Sequence, residues 1–202
     1  MATSKKKPAR KPARSKPSSR RAAAAKKAPA KKATRKSPAK KPAKKTPAKS
    51  TPRSLPALVD ALRRCELLVE VAPAEDVDRA IEAFRAMTPS VLVEAEPHVF
   101  RYYLDCKDYT EPDDPDHVEI ASAPDVWKHV EAGFEARVGR RNKDGKVYVS
   151  VVCNCDWEQE HALHLVFEGG RRVNKVGAFD GHFTNADAYD DAALEGVVYK
   201  PR

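Results

Sequence analysis

Apolar positions recur at helical and then strand spacing from residue 55 onward, and before it the only apolar side chain beyond alanine and proline is that of Met1. Leu58, Leu62, Cys65 and Val69 fall at three- and four-residue steps, with Pro56 placed for a first turn, and predict a helix over 55–71. Val77, Ala80, Ile81, Phe84 and Met87 make one stripe, with Glu75 and Asp76 ahead of it, and predict a second helix over 74–87. Thr88-Pro89 reads as an N-cap and first helical position. In the 90–109 segment that follows, Leu92, Ala95, Val99, Tyr102 or Tyr103 and Cys106 fit a helix that Pro97 kinks or restarts. The cluster Val99, Phe100, Tyr102, Tyr103, Leu104 also fits a buried strand; helix is the expectation. A Pro- and Asp-rich loop over 111–117 then separates two halves.

Strand spacing dominates the second half. Ser122-Ala123-Pro124-Asp125 has the form of a capping box and opens a short helix carrying Val126, Trp127 and Val130, closed by Gly133. A strand over 134–138 and a turn at Asn142-Lys143-Asp144-Gly145 lead into the clearest alternation of the chain. There Val147, Val149, Val151, Cys153 and Cys155 take one face, and Tyr148, Ser150, Val152 and Asn154 the other. Leu163, Leu165 and Phe167 mark a third strand, Gly169-Gly170 a turn, and 172–176 a fourth. A short acidic helix from Thr184 through Leu194 and an edge strand over 197–199 complete the pattern. The expected fold class is α+β: a disordered basic tail over 1–54, then a domain over 55–202, mainly helical over 55–109 and mainly an antiparallel β-meander over 118–200, in two layers.

Composition explains why the tail lacks a pattern. Residues 1–54 hold 21 of the 38 Lys and Arg, no Asp or Glu, no glycine and no aromatic residue, with eight prolines. Such a segment has too little apolar area to offset chain entropy, and its prolines oppose continuous helix. The whole-chain charge of +9 averages two opposites, because the remaining residues carry 17 basic against 29 acidic side chains. A basic tail on an acidic body points to a polyanionic partner. No run of 18 apolar residues is present, no apolar core follows the basic start, and four cysteines show no disulfide spacing. Membrane association and secretion are therefore not expected, and a reducing cytoplasmic, nucleoid-associated setting is.

Nucleic acid is the expected partner of the tail. Its phosphates would be met by Lys5, Lys6, Lys7, Arg10, Lys11, Arg14, Arg20, Arg21, Lys26, Lys27, Lys31, Lys32, Arg35, Lys36, Lys40, Lys41, Lys44, Lys45 and Lys49. Without aromatic rings for stacking or glycine for close approach to a groove, only sequence-independent phosphate contact is expected. The units Ser37-Pro38-Ala39-Lys40, Lys41-Pro42-Ala43-Lys44 and Thr46-Pro47-Ala48-Lys49 resemble the tails of lysine-rich linker histones and of histone-like bacterial nucleoid proteins. That resemblance implies chromatin or nucleoid association. The alternative is a flexible leader ahead of a self-sufficient domain.

Polar residues gather at Cys153-Asn154-Cys155-Asp156-Trp157-Glu158-Gln159-Glu160-His161 and at Asp180-Gly181-His182. Cys153 and Cys155 with His161, His164 and His182 could be metal ligands, but Cys-x-Cys within a strand continues the valine face and reads as two buried thiols. Glu160, His161, Asp180 and His182 could form an acid–base set; no nucleophile elbow or phosphate loop accompanies them. The simpler expectation is that Glu160 and His161 cap the hairpin and bond to the Asp180 turn. No catalytic residue, metal or cofactor is assigned. Asp156, Trp157, Glu160, His161, Asp180, Gly181 and His182 also carry a resemblance, over about 118–189, to an uncharacterised bacterial domain family with a Trp-x-x-Glu-His-Gly pattern and an Asp-Gly-His segment. Ala162 stands where that pattern has glycine, so ordinary strand backbone is expected there. The resemblance implies a fold and no activity; by analogy with suspected toxin-immunity proteins, the alternative is an immunity-like or regulatory domain that binds an unknown protein.

Overall fold

The computed structural model describes residues 53–201, and the nucleic-acid contacts expected of the basic tail lie outside them. The first helix, α1 (Leu55–Arg64), is capped by Ser54, whose hydroxyl accepts from the Ala57 amide, and it buries Leu58, Val59 and Leu62. It stops seven residues short of the periodicity. Cys65 turns extended at φ −51° and ψ 144°, and Glu66–Val69 forms strand β1 instead. The tertiary alternative is stronger: Cys65 Sγ donates to the Gly133 carbonyl at 3.0 Å and the Glu66 amide to the Phe134 carbonyl at 2.9 Å. A short run such as Leu67-Leu68-Val69 suits either element, and these partners decide it.

Helix α2 (Glu75–Arg85) follows the expected stripe, with Val77, Ala80 and Phe84 buried. Helix α3 (Pro89–Lys107) is one continuous helix with Pro97 inside it, so the strand alternative falls. Its stripe of Leu92, Ala95, Val99, Tyr102, Tyr103 and Cys106 packs on both sides of the proline, which compensates the one bond Pro97 cannot make. The segment Ala123–His129 is a 3-10 helix. The Ser122 hydroxyl bonds the Asp125 carboxylate at 2.6 Å rather than a backbone amide, and Val130 already belongs to the two-residue strand β2 (Val130–Glu131), so the helix ends before Gly133.

Strands β3 (Glu135–Arg140), β4 (Val147–Cys155), β5 (Glu158–Glu168) and β6 (Arg172–Gly177) form the expected antiparallel meander. β1 adds in parallel to β3, with Glu66 opposite Glu135, while β2 pairs with the end of β4. The mixed sheet therefore runs β1-β3-β4-β5-β6. Val147, Val149, Val151, Cys153 and Cys155 face the helices as predicted and join one core with Trp127, Leu163, Leu165 and Phe167.

The opposite face is not the open polar surface that alternation suggests. The chain after β6 folds back across it. Phe183 stacks on Tyr148 with centroids 5.3 Å apart and planes 8° off parallel. Gly139 makes the room, because a Cβ there would lie 2.4 Å from the Phe183 ring. Arg141, buried, bonds Asp144, Asp187 and Glu195 together, and Asn174 donates to the Phe183 carbonyl at 2.9 Å. This segment contains α4 (Asn185–Ala188), capped by Thr184, and a separate 3-10 turn at Ala192–Leu194. The continuous helix from Thr184 to Leu194 is broken at Asp190, whose φ is +50°. Of the expected edge strand, Val198 supplies a carbonyl to the Val176 amide at 2.8 Å.

The β4–β5 pairing slips between Cys153 opposite Leu163 and Cys155 opposite Glu158. Residues 159–162 bulge there, and Ala162 takes φ +60°, the left-handed region, not ordinary strand. Tyr102 Oη holds it by donating to the Ala162 carbonyl at 3.0 Å, and the Phe179 amide donates to the His161 carbonyl at 3.1 Å. An alanine in that conformation costs about 1 kcal/mol relative to glycine. Ala162→Gly is therefore expected to raise the urea midpoint by an amount equivalent to about 1 kcal/mol at unchanged slope; an unchanged or lowered midpoint would contradict a strained bulge.

Candidate functional site

The site grows out of one residue in the wrong environment. Lys175, on β6 opposite Val166, has 1% of its surface exposed. Its ammonium donates to both carboxylate oxygens of Asp180 and, at 3.3 Å, to the His182 carbonyl. Burial lowers its pKa and Asp180 opposes that shift. Asp180 also accepts from the His182 amide at 3.0 Å, and Gly181 at φ +79° makes the turn.

On the same face, Ser150 of β4 and His164 of β5 meet diagonally, Oγ to Nε2, at 2.6 Å. Both are buried. The other ring nitrogen of His164, Nδ1, has no hydrogen-bond partner and lies 3.9 Å from an Asp180 oxygen. Phe179 covers it edge-on, with ring centroids 5.1 Å apart. Burial first, and the Lys175 charge second, push the imidazole down to about 4, so it is neutral at neutral pH. Beside this group lies a cavity of about 330 Å³ whose lining includes Phe134, Arg137, Ser150, Val152 and Phe179. Arg137 sits directly across from Ser150 on β3, and its Nε and Nη2 are held by Glu70 at 3.0 and 2.8 Å.

Of the residues singled out in the sequence, Asp180 belongs to this cluster, with the Gly181 turn and the His182 backbone. The others lie elsewhere. Trp157 is a core residue, packed edge-on against Tyr102 and Tyr103 at 6.3 and 6.0 Å, with an unpartnered Nε1. Asp156 pairs with Arg53 and with His129 Nδ1. Glu160 and His161 do not cap through their side chains. Glu158 does: its Oε1 accepts from the Glu160 and His161 amides, each at 3.1 Å. The link from this bulge to the Asp180 turn runs through the His161 carbonyl and the Phe179 amide. Cys153 and Cys155 point into the core, where burial pushes the Cys153 thiol up to about 12 and raises Cys155 as well, while His164 lies on the opposite face. Among the described residues no group of three or more His, Cys, Asp or Glu could hold a metal ion, and no helix is long and apolar enough to cross a membrane. Ser150, His164 and Lys175 were missed as a set. Their signal was three polar side chains at strand-interior positions whose faces agree once the register is known.

A family model described as a domain of unknown function (DUF6985) matches residues 45–183, reaching from within the basic segment through α1, α2 and α3 to the Asp180 turn. No curated protein and no solved structure matches the chain.

The depressed pKa of His164 has a sign that can be measured. In the unfolded chain the imidazole titrates near 6.5, so between pH 6.5 and about 4 the unfolded state binds a proton that the folded state refuses. Stability conferred by the neutral, buried ring is present above that window and falls by about 3 kcal/mol across it as pH drops. Urea unfolding at several pH values should show this slope, and His164→Gln should remove it; an identical slope in the variant would contradict a buried neutral histidine.

Proposed function

The chain belongs to this DUF6985 family, and from its own residues we propose that it associates with nucleic acid without sequence preference through residues 1–54, while the domain serves as a protein-interaction module. The observation that carries the proposal is the partition of charge: 21 cations and no acid before residue 55, against 29 acids and 17 cations after it. Each Lys or Arg that meets a phosphate releases condensed counterions, which favours binding strongly at low salt. The histone-like Ser-Pro-Ala-Lys and Lys-Pro-Ala-Lys units support a nucleoid setting. Arg53 illustrates the competition such a segment faces, since its guanidinium rests on Asp156 and near Glu131.

For the domain, the support is an open sheet edge. β1 ends the strand order, and Leu68 and Val69 on it are exposed. Phe134, whose carbonyl bonds the start of β1, is 93% exposed. A strand edge flanked by apolar side chains suits addition of an extended segment from a protein partner.

The test is a titration of duplex DNA with the full chain and with residues 53–202 between about 50 and 200 mM salt. The full chain is expected to bind with a steep salt dependence, losing roughly a thousandfold in affinity over that range, and the shortened chain to bind negligibly. Equal binding by both would overturn the proposal.

A further inference from the structure

We propose that Ser150 and His164, with Asp180 behind them and Arg137 in front, form a nucleophilic serine site that hydrolyses esters of small hydrophobic or aromatic carboxylic acids. The geometry supplies each part in turn. A neutral imidazole carries one N–H, and among the described residues the carboxylate near the ring is that of Asp180, on the Nδ1 side at 3.9 Å. Placing the hydrogen on Nδ1 turns it toward Asp180 and leaves Nε2 bare. The Ser150 hydroxyl, 2.6 Å from Nε2, then donates to it, which is the arrangement of a serine with its general base. The Nδ1 to Asp180 distance is longer than a hydrogen bond, as unliganded sites of this kind often are, and the buried Nδ1 has no hydrogen-bond partner among the described residues.

Ser150 also has somewhere to deliver its oxygen. It lines the cavity of about 330 Å³, within the range of small-molecule sites. Phe134 and Phe179, with 93% and 41% of their surface exposed, and Val152 give that cavity apolar walls for an acyl or aryl group. Arg137, the cross-strand neighbour of Ser150, lines it too. Glu70 engages its Nε and Nη2, which leaves Nη1 for a developing oxyanion.

The chemistry balances with water as the only co-reactant. Oγ attacks the ester carbonyl, forming the Oγ–carbon bond, and its proton passes to His164 Nε2. The carbon–oxygen bond to the alcohol then breaks, and the alcohol departs with that proton. Water attacks the acyl-serine, gives a proton to Nε2, and releases the carboxylic acid as the proton returns to Oγ. Asp180 is a positioning residue here, since it reaches the substrate only through His164.

The experiment treats the full chain with an alkyl fluorophosphonate, which forms a stable phosphonyl ester on an activated serine with loss of fluoride. Intact mass and peptide mapping are expected to place one adduct on Ser150, and Ser150→Ala to abolish it. His164→Gln, where circular dichroism shows a folded domain, should slow labelling about a hundredfold or more. Asp180→Asn should slow it and change its pH profile, and Asp180→Glu should restore both. Should the His164 and Asp180 variants fail to fold, hydrolysis of p-nitrophenyl butyrate by the wild-type chain against Ser150→Ala decides the matter, with saturable turnover expected only in the former. Absence of an adduct on Ser150 of the wild-type chain, or labelling of a folded His164→Gln variant at the wild-type rate, would overturn the proposal.

Discussion

The pairing of Lys175 with Asp180 is the constraint on which the second face of the sheet depends. An ammonium with 1% exposure cannot persist without an anion, because desolvating it alone costs several kcal/mol. Asp180 is five residues further on, so the chain must turn back at once after β6 to bring it there. That turn carries Phe179 onto His164 and Phe183 onto Tyr148, and it delivers Asp187 and Glu195 to Arg141. One buried charge thus explains why a sheet that is two-layered by its helices acquires a partial third layer. It also explains why Ser150 and His164, which alternation would leave in solvent, are buried polar groups with a defined partner.

The two polar segments that stand out in the sequence meet through this fold, by backbone rather than by side chain. The bulge over 159–162 turns the His161 carbonyl toward the Phe179 amide, and Glu158 satisfies the two amides that the bulge leaves off the ladder. Trp157 anchors the same hairpin to α3 through its contacts with Tyr102 and Tyr103. The left-handed Ala162 is the strain this arrangement tolerates, held in place by the Tyr102 hydroxyl.

Much of the domain could be read from periodicity, and the failures have physical causes. The stripes of α2 and α3 and the valine face of β4 were legible because each is long enough to express its period. β1 was not, since four residues cannot distinguish a helix from a strand and its partner lies 69 positions away. The left-handed bulge was hidden because alanine gives no local sign of positive φ. The site was hidden for a related reason. Ser150, His164 and Lys175 come from three strands, and only the register places them on one face, while the carboxylate that completes them was visible as a turn.

The charges divide the protein in two, with a cationic segment before residue 55 and an acidic domain after it that uses part of its carboxylates in internal pairs such as those of Arg141 and Lys175. What the domain does chemically turns on the state of one ring. The measurement that addresses it most directly is the pair of His164 ring-nitrogen chemical shifts in the full chain, followed by NMR from pH 5 to 8. A neutral ring is expected throughout, protonated at Nδ1 and bare at Nε2, where it accepts the Ser150 hydroxyl. A hydrogen on Nε2 at neutral pH, or titration with a midpoint near the ordinary 6.5, would contradict it.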